Sequence, residues 1–157
     1  MFASALACAP AFADDASCGP VLQSQMKQAR TAFHETSSSK GAPLLEKIYT
    51  TSALYLRRGT GRWTKVPATP QDLIDAMRET GVSLSSCRRV REDAVDGQPA
   101  AVWAAHQHTA APAQDVDIQI WISDASGLPL RTESDQRGTH VSTRLVYENV
   151  RPPAGAN

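Results

Sequence analysis

The most constraining feature of this sequence is a strict alternation of residue types in the segment VDIQIWIS, at positions 116–123. Valine or isoleucine occupies every second position from Val116 to Ile122. Successive side chains of a β-strand point to opposite faces, so the segment predicts a strand with one apolar face. Trp121 lies on the other face of the same strand. We therefore expect this strand to be covered by apolar residues on both sides.

Other short segments have β-forming composition and are separated by turn-forming residues. The turn residues Gly59-Thr60-Gly61 and Asp96-Gly97 favour tight hairpins. About nine short strands joined mostly by hairpins predict a single, strongly twisted antiparallel sheet that curls. The clearest of the remaining strands are predicted over 44–50, 53–58, 62–66, 87–95, 99–108, 128–134 and 140–149. The segment AAPAQ at 110–114 is predicted to be a loop.

Two amphipathic helices are predicted to cover this sheet. The first spans 20–32, where apolar side chains recur at spacings of three and four residues. The second begins after Thr69, a predicted N-cap, with Pro70 at the first helical position and Asp72 completing a capping box. Gly81 is suited to end that helix. The predicted fold class is therefore α+β, a strongly curved antiparallel sheet covered by two helices.

The first thirteen residues, MFASALACAPAFA, predict a signal peptide that lacks its basic n-region. They contain no charged residue and end in a small-x-small cleavage site, so cleavage is expected after Ala13. The alternatives are a short buried helix and a lipoprotein acylated at Cys8. We expect a periplasmic or secreted protein without a transmembrane span, with one domain over 14–153 and a disordered tail at 154–157.

Export makes the cysteines informative. Removal of the predicted signal peptide leaves two of the three cysteines, Cys18 and Cys87. An even pair in an oxidising compartment predicts one disulfide, which would connect the first helix to a strand.

Charge and motifs exclude several classes of function. Sixteen basic and sixteen acidic side chains balance, which argues against a nucleic-acid partner. The chain has no Gly-x-Ser-x-Gly, Walker or His-Glu-x-x-His motif, so we expect a non-enzymatic protein without a cofactor. His106 and His108 share a strand face near Asp115 and Asp117, but a solvated strand end is a better interpretation than a metal site. A hydrolase whose active site matches no recognisable motif is one alternative class of function.

Arginines are concentrated in two predicted strands. They could form a cationic patch that meets anionic lipid head groups, or they could protect sheet edges and form ion pairs with neighbouring carboxylates. The candidate patch residues are Arg57, Arg58, Arg88, Arg89 and Arg91.

The last third of the chain resembles a known family. Three segments and a final proline pair resemble small exported bacterial proteins of the LolA/LolB type. They are Trp121-Ile122-Ser123-Asp124, Gly127-Leu128-Pro129-Leu130-Arg131, Ser142-Thr143-Arg144-Leu145-Val146-Tyr147 and Pro152-Pro153. That superfamily includes the periplasmic carriers and outer-membrane receptors of lipoprotein sorting. The resemblance implies an incomplete barrel closed by helices, with a cavity for acyl chains.

The leading hypothesis is an envelope protein that encloses a hydrophobic ligand, a lipid or a lipoprotein acyl chain, between the sheet and the helices. The alternative is a protein-interaction or envelope-stress module with a filled core and an envelope protein as its partner. The large apolar side chains that could line a pocket are Leu54, Leu56, Trp63, Leu73, Ile74, Met77, Trp103, Ile120, Trp121, Leu145 and Tyr147.

Overall fold

The computed structural model describes residues 15–156, which form one nine-stranded antiparallel sheet with two α-helices. This architecture confirms the predicted fold class. The predicted signal peptide, its cleavage site after Ala13 and Cys8 lie outside the described residues. The strands are β1 (Phe33–Ser39), β2 (Ala42–Tyr49), β3 (Ala53–Arg58), β4 (Thr64–Pro67), β5 (Ser83–Val95), β6 (Gln98–Ala110), β7 (Ala113–Ser123), β8 (Pro129–Gln136) and β9 (Thr139–Val146).

The sheet consists of two meanders that meet at β1 and β9. The strand order is β4-β3-β2-β1-β9-β8-β7-β6-β5, so consecutive strands pair as hairpins except across the second helix. Strands β4 and β5 are the two edges, and the sheet does not close. The second helix follows β4 and precedes β5, and thereby connects the two edges.

The helices are α1 (Gly19–Ala29), preceded by a 3₁₀ turn, and α2 (Pro70–Glu79). The capping box of α2 is confirmed: Asp72 N–H donates to Thr69 Oγ1 over 3.3 Å, and Thr69 N–H donates to Asp72 Oδ2 over 2.7 Å. Helix α1 is shorter than predicted because the chain after Ala29 turns to begin β1. Neither helix in 15–156 has the length and apolar character needed to cross a membrane.

The predicted disulfide between Cys18 and Cys87 is confirmed, and it attaches the N-terminus of α1 to β5. Both cysteines are buried in the core beneath α1. The other buried members of that core come from α1, β5, β6 and β7: Val21, Leu84, Ala105, Val116, Ile118, Ile120 and Ile122. The alternating isoleucines of β7 therefore face the helices.

Trp121 lies on the opposite face of β7 and is 2% exposed, which confirms that this strand is covered on both sides. Its indole packs in a cluster with Val102 and Leu130. The guanidinium groups of Arg91 and Arg131 lie 5.4 and 4.9 Å from the centre of the indole ring. Cationic side chains thus complete the cover of an aromatic ring on the outer face.

One predicted loop is wrong. The segment 110–114 was expected to leave the sheet, but Ala110 pairs with Ala113 and only Ala111 and Pro112 form the turn. Antiparallel pairing of β6 and β7 continues to the end of the hairpin. Pairing along the whole length of the two strands outweighs the weak β propensity of AAPAQ. Beyond β9, Val150 and Ala156 pack against a cluster on the outer face that contains Tyr55.

Candidate functional site

A pocket of about 350 Å³ lies between the two helices and strands β1 to β3. It opens to solvent, and its volume is near the lower end of the range for small-molecule sites, roughly 300–1,000 Å³. Beneath α1, the side chains over β5 to β7 fill the space instead. Apolar side chains dominate the pocket wall: Ala29, Phe33, Leu54, Leu73, Ala76 and Met77.

The sheet presents two rows of side chains on this helix-facing side. One row crosses β1, β2 and β3 as Phe33, Tyr49 and Leu54, which are register partners. The rings of Phe33 and Tyr49 lie 5.5 Å apart, centre to centre. Phe33 and Tyr49 are buried and Leu54 is half-buried, and the three pack in one cluster with Leu73 of α2.

The second row contains an ion pair. Glu35 of β1 and Lys47 of β2 are register partners, and their charged atoms Oε1 and Nζ are 2.7 Å apart. The Glu35 side chain is 11% exposed and that of Lys47 is 32% exposed. Both side chains line the pocket. A predominantly apolar cavity therefore contains one partly buried pair of opposite charges.

Two further polar groups lie in or near this region without a protein partner. The Oε1 atom of Gln25, a residue of α1 that lines the pocket, is buried and accepts no hydrogen bond among the described residues. The hydroxyl of Tyr49 is likewise buried and unpaired. Burial raises the pKa of Tyr49, and the nearby Asp72 carboxylate raises it further. The Tyr49 hydroxyl is therefore a neutral group.

Tyr147 connects the pocket region with the outer-face cluster. Its hydroxyl donates to the carbonyl oxygen of Pro129 over 2.5 Å. Its ring packs against both the Tyr49 and the Trp121 clusters. Burial raises the pKa of Tyr147 well above its usual range, and the Glu35 carboxylate adds to that effect.

The structure brings only some of the predicted pocket residues together. Leu54, Leu73 and Met77 line the cavity. Leu145 packs in the core beside it, and Leu56 is the register partner of Lys47.

The other predicted pocket residues lie elsewhere. Ile120 and Trp103 belong to the packed core under α1. Trp63 packs with the outer-face Tyr55 cluster, and Trp121 also lies on the outer face. Ile74 is buried on α2.

Sequence reasoning missed the polar part of the pocket. Gln25, Gln28 and Ala29 follow the helical spacing of one α1 face, so their common orientation was accessible from the sequence. Glu35 and Lys47 could be recognised as neighbours only with the β1–β2 register known, because no local pattern pairs them.

The predicted cationic patch is distributed over the two halves of the sheet. Arg57 and Arg58 lie on β3, whereas the other three arginines lie on β5, at the far edge. Arg57 donates through Nε to Glu46 over 3.0 Å and lies over the Trp63 ring. Arg89 pairs with the neighbouring carboxylate of Glu92.

The histidines of β6 pair with carboxylates of β7. His106 Nδ1 is 2.9 Å from Asp117 Oδ1, and His108 Nδ1 is 2.9 Å from Asp115 Oδ1. The hydrogen bond to Asp117 raises the pKa of His106. Within 15–156, no group of three or more histidine, cysteine or acidic side chains is arranged to hold a metal ion.

An open, curved antiparallel sheet with two helices over one face, and a pocket between them, defines a protein of the LolA/LolB-type fold. Solved structures with this fold confirm the resemblance. LprF from Mycobacterium bovis matches with a TM-score of 0.54 and 15% identity, over 92% of this chain and 99% of that chain. The Mycobacterium tuberculosis lipoprotein LppX matches with a TM-score of 0.53 and 13% identity, over 88% of this chain and 99% of that chain.

MucB, in its complex with MucA(peri), matches with a TM-score of 0.53 and 16% identity, over 88% of this chain. The match spans 60% of the MucB chain. No family model and no curated protein matches the sequence. At these identities the structural matches define the fold alone.

Proposed function

We propose that this chain is a non-enzymatic, exported envelope protein that binds one hydrophobic ligand, a lipid or an acyl chain, in the pocket between the sheet and the helices. The observation that carries the proposal is the predominantly apolar wall of an open cavity between α1 and α2. Apolar surface that folding leaves uncovered in a concave site is available to an apolar ligand. The expected export to the periplasm supports the same assignment.

The two regions of the sheet's helix-facing side, the core over β5 to β7 and the pocket over β1 to β3, would then have different roles. The core beneath α1 is tied by the Cys18–Cys87 disulfide and packed by the β7 isoleucines, so it is suited to provide a rigid scaffold. The pocket lies between the two helices and strands β1 to β3. Its modest volume favours a single acyl chain over a lipid with several chains.

Native mass spectrometry of the protein purified from its native envelope without detergent tests the proposal. We expect a mass above that of the chain, and release of the difference as lipid on unfolding. Ala76 is an exposed wall residue of α2, so Ala76→Phe should obstruct the pocket and reduce the bound fraction. Gln71→Phe adds the same side chain at an exposed position of α2 away from the pocket and is the matched control.

A wild-type mass equal to that of the bare chain would refute ligand binding. Equal occupancy in the Ala76→Phe and Gln71→Phe variants would place the ligand outside this pocket.

One observation favours a second candidate function, a protein-interaction module of the envelope. MucB, which shares the fold, was crystallised in complex with MucA(peri). Under this alternative the pocket stays empty and an envelope protein binds the outer surface. A bare-chain mass together with a stable complex with another envelope protein, retained in Ala76→Phe, would favour the second function over the first.

A further inference from the structure

The Glu35–Lys47 ion pair occupies an unusual place for charge. Across four strands, the helix-facing row at this level is Leu145, Glu35, Lys47 and Leu56, in register order. The pair thus has a leucine on each side, on the floor of the pocket.

Fold stability does not account for this pair. Removing two charges from water is costly, and replacing a buried ion pair with well-packed apolar residues is often neutral or stabilising. Leucines at both positions would continue the apolar row between Leu145 and Leu56. The position of Glu35 and Lys47 within the pocket therefore points to a role in binding.

The pair retains hydrogen-bonding capacity. The Lys47 ammonium has three donors, of which Glu35 takes one, and the Glu35 carboxylate has further lone pairs. The buried Oε1 of Gln25 contributes an acceptor without a protein partner among the described residues. The polar groups that line the pocket can thus both donate to a ligand and accept from it.

The pair also disfavours a charged head group. Its own net charge is zero, so an anionic head gains from Lys47 but is repelled by Glu35, and a cationic head meets the reverse. Either charge would also lose its hydration on entry. A neutral head group with hydroxyl and ester groups avoids both costs: a hydroxyl can donate to Glu35 or Gln25, while a carbonyl accepts from Lys47.

We propose that Glu35, Lys47 and Gln25 select a neutral, hydroxyl-bearing head group on a single acyl chain, the chemistry of a monoacylglycerol. This inference rests on the proposed function, because it concerns the same pocket. It adds a specificity that the apolar wall alone does not supply.

The test compares three probes with equal chains and different heads: monolauroylglycerol (neutral), lauric acid (anionic) and dodecylamine (cationic). The protein is stripped of bound lipid by unfolding and refolding, and each probe is titrated below its micelle concentration by isothermal calorimetry. We expect monolauroylglycerol to bind at least about 10-fold more tightly than either charged probe, a difference of about 1.4 kcal/mol.

Variants of the pair should change this order. Glu35→Gln leaves the Lys47 charge unpaired and should shift the preference towards lauric acid. Lys47→Met leaves the Glu35 charge unpaired and should shift it towards dodecylamine. The exchanged pair Glu35→Lys with Lys47→Glu restores neutrality and should retain the preference for monolauroylglycerol, even where a single variant fails to fold.

Glu46→Gln is the matched control. Glu46 neighbours Lys47 on β2, but it lies on the outer face, where it forms a cross-strand ion pair with Arg57 of β3. Its loss should leave the order of the three probes unchanged.

The outcomes separate this inference from the proposed function. Equal binding of all three probes, tighter binding of a charged probe by the wild type, or an order unaffected by Glu35→Gln and Lys47→Met would overturn head-group selection while leaving an acyl pocket intact. Binding of none of the probes would refute the pocket as an acyl site, and with it this inference.

Discussion

Loss of the Cys18–Cys87 disulfide should strongly destabilise this protein. The crosslinked residues are 69 positions apart. The chain-entropy relation for a loop of that length gives roughly 15 cal/mol/K, or about 4 kcal/mol at room temperature. Because domains of this size are typically stable by about 5–15 kcal/mol, the crosslink would supply a large fraction of the total.

Urea unfolding of the oxidised and reduced protein, followed by tryptophan fluorescence, measures this loss. The free energy of unfolding should fall by about 4 kcal/mol on reduction, and the urea dependence should steepen because the unfolded chain is no longer crosslinked. The Cys18→Ala/Cys87→Ala variant should show a similar loss and should not respond to reductant, which makes it the control for effects of the reductant. A loss below about 1 kcal/mol would contradict the reasoning that the crosslink acts by restricting the unfolded chain.

Two smaller perturbations test other parts of the structure. Gly81 has a φ of +62°, and a Cβ there would lie 2.8 Å from the Cβ of Ala110. Gly81→Ala should therefore destabilise the protein by roughly 1–3 kcal/mol in urea unfolding. An unchanged unfolding midpoint would refute this close approach of α2 and the β6–β7 turn. Asp117 raises the pKa of His106, so their interaction stabilises the fold below the ordinary histidine pKa and is lost as pH rises through the raised value. Asp117→Asn should therefore lower the His106 pKa in an NMR titration, and an unshifted titration would show that the hydrogen bond is not formed in solution.

The separation between packed core and pocket has a physical basis in the sequence of β1 and β7. On β7, β-branched residues fill every helix-facing position from Val116 to Ile122, and they pack against α1. On β1 the helix-facing positions are Phe33, Glu35 and Ser37. A charged and a small polar side chain cannot fill the space beneath the helices as isoleucines do, so a cavity remains there.

Local patterns predicted most of the secondary structure. The alternation along β7, the Asp96-Gly97 hairpin and the capping box of Thr69 each depend on residues within a few positions, and each is present in the structure. The disulfide was also predictable, since only two cysteines follow the expected cleavage site. The loop prediction for AAPAQ was wrong because the strand conformation of these residues depends on pairing between β6 and β7 and not on their own composition.

The pocket was only partly predictable. Alternation along a strand shows which side chains share a face, whereas the neighbours of a side chain on adjacent strands depend on the strand register. Alternation assigned Trp121 to the face opposite the isoleucines, but it could not say which face the helices cover. The large apolar residues predicted to line a pocket therefore come from both faces, and they include Trp63 and Trp121 as well as Leu54. The structure assigns those two tryptophans to outer-face clusters.

By itself, the sequence determined the element types, the hairpin order, the crosslink and the apolar strand that organises the core, because each is encoded by spacing within a short segment. Only the tertiary structure decided that β1 pairs with β9, that α2 connects the two edges of the sheet, and that Glu35 meets Lys47 on the floor of a pocket. Those contacts join segments whose mutual register no local pattern specifies. The physical reason is that register and sheet curvature are set by packing of the whole sheet against its helices.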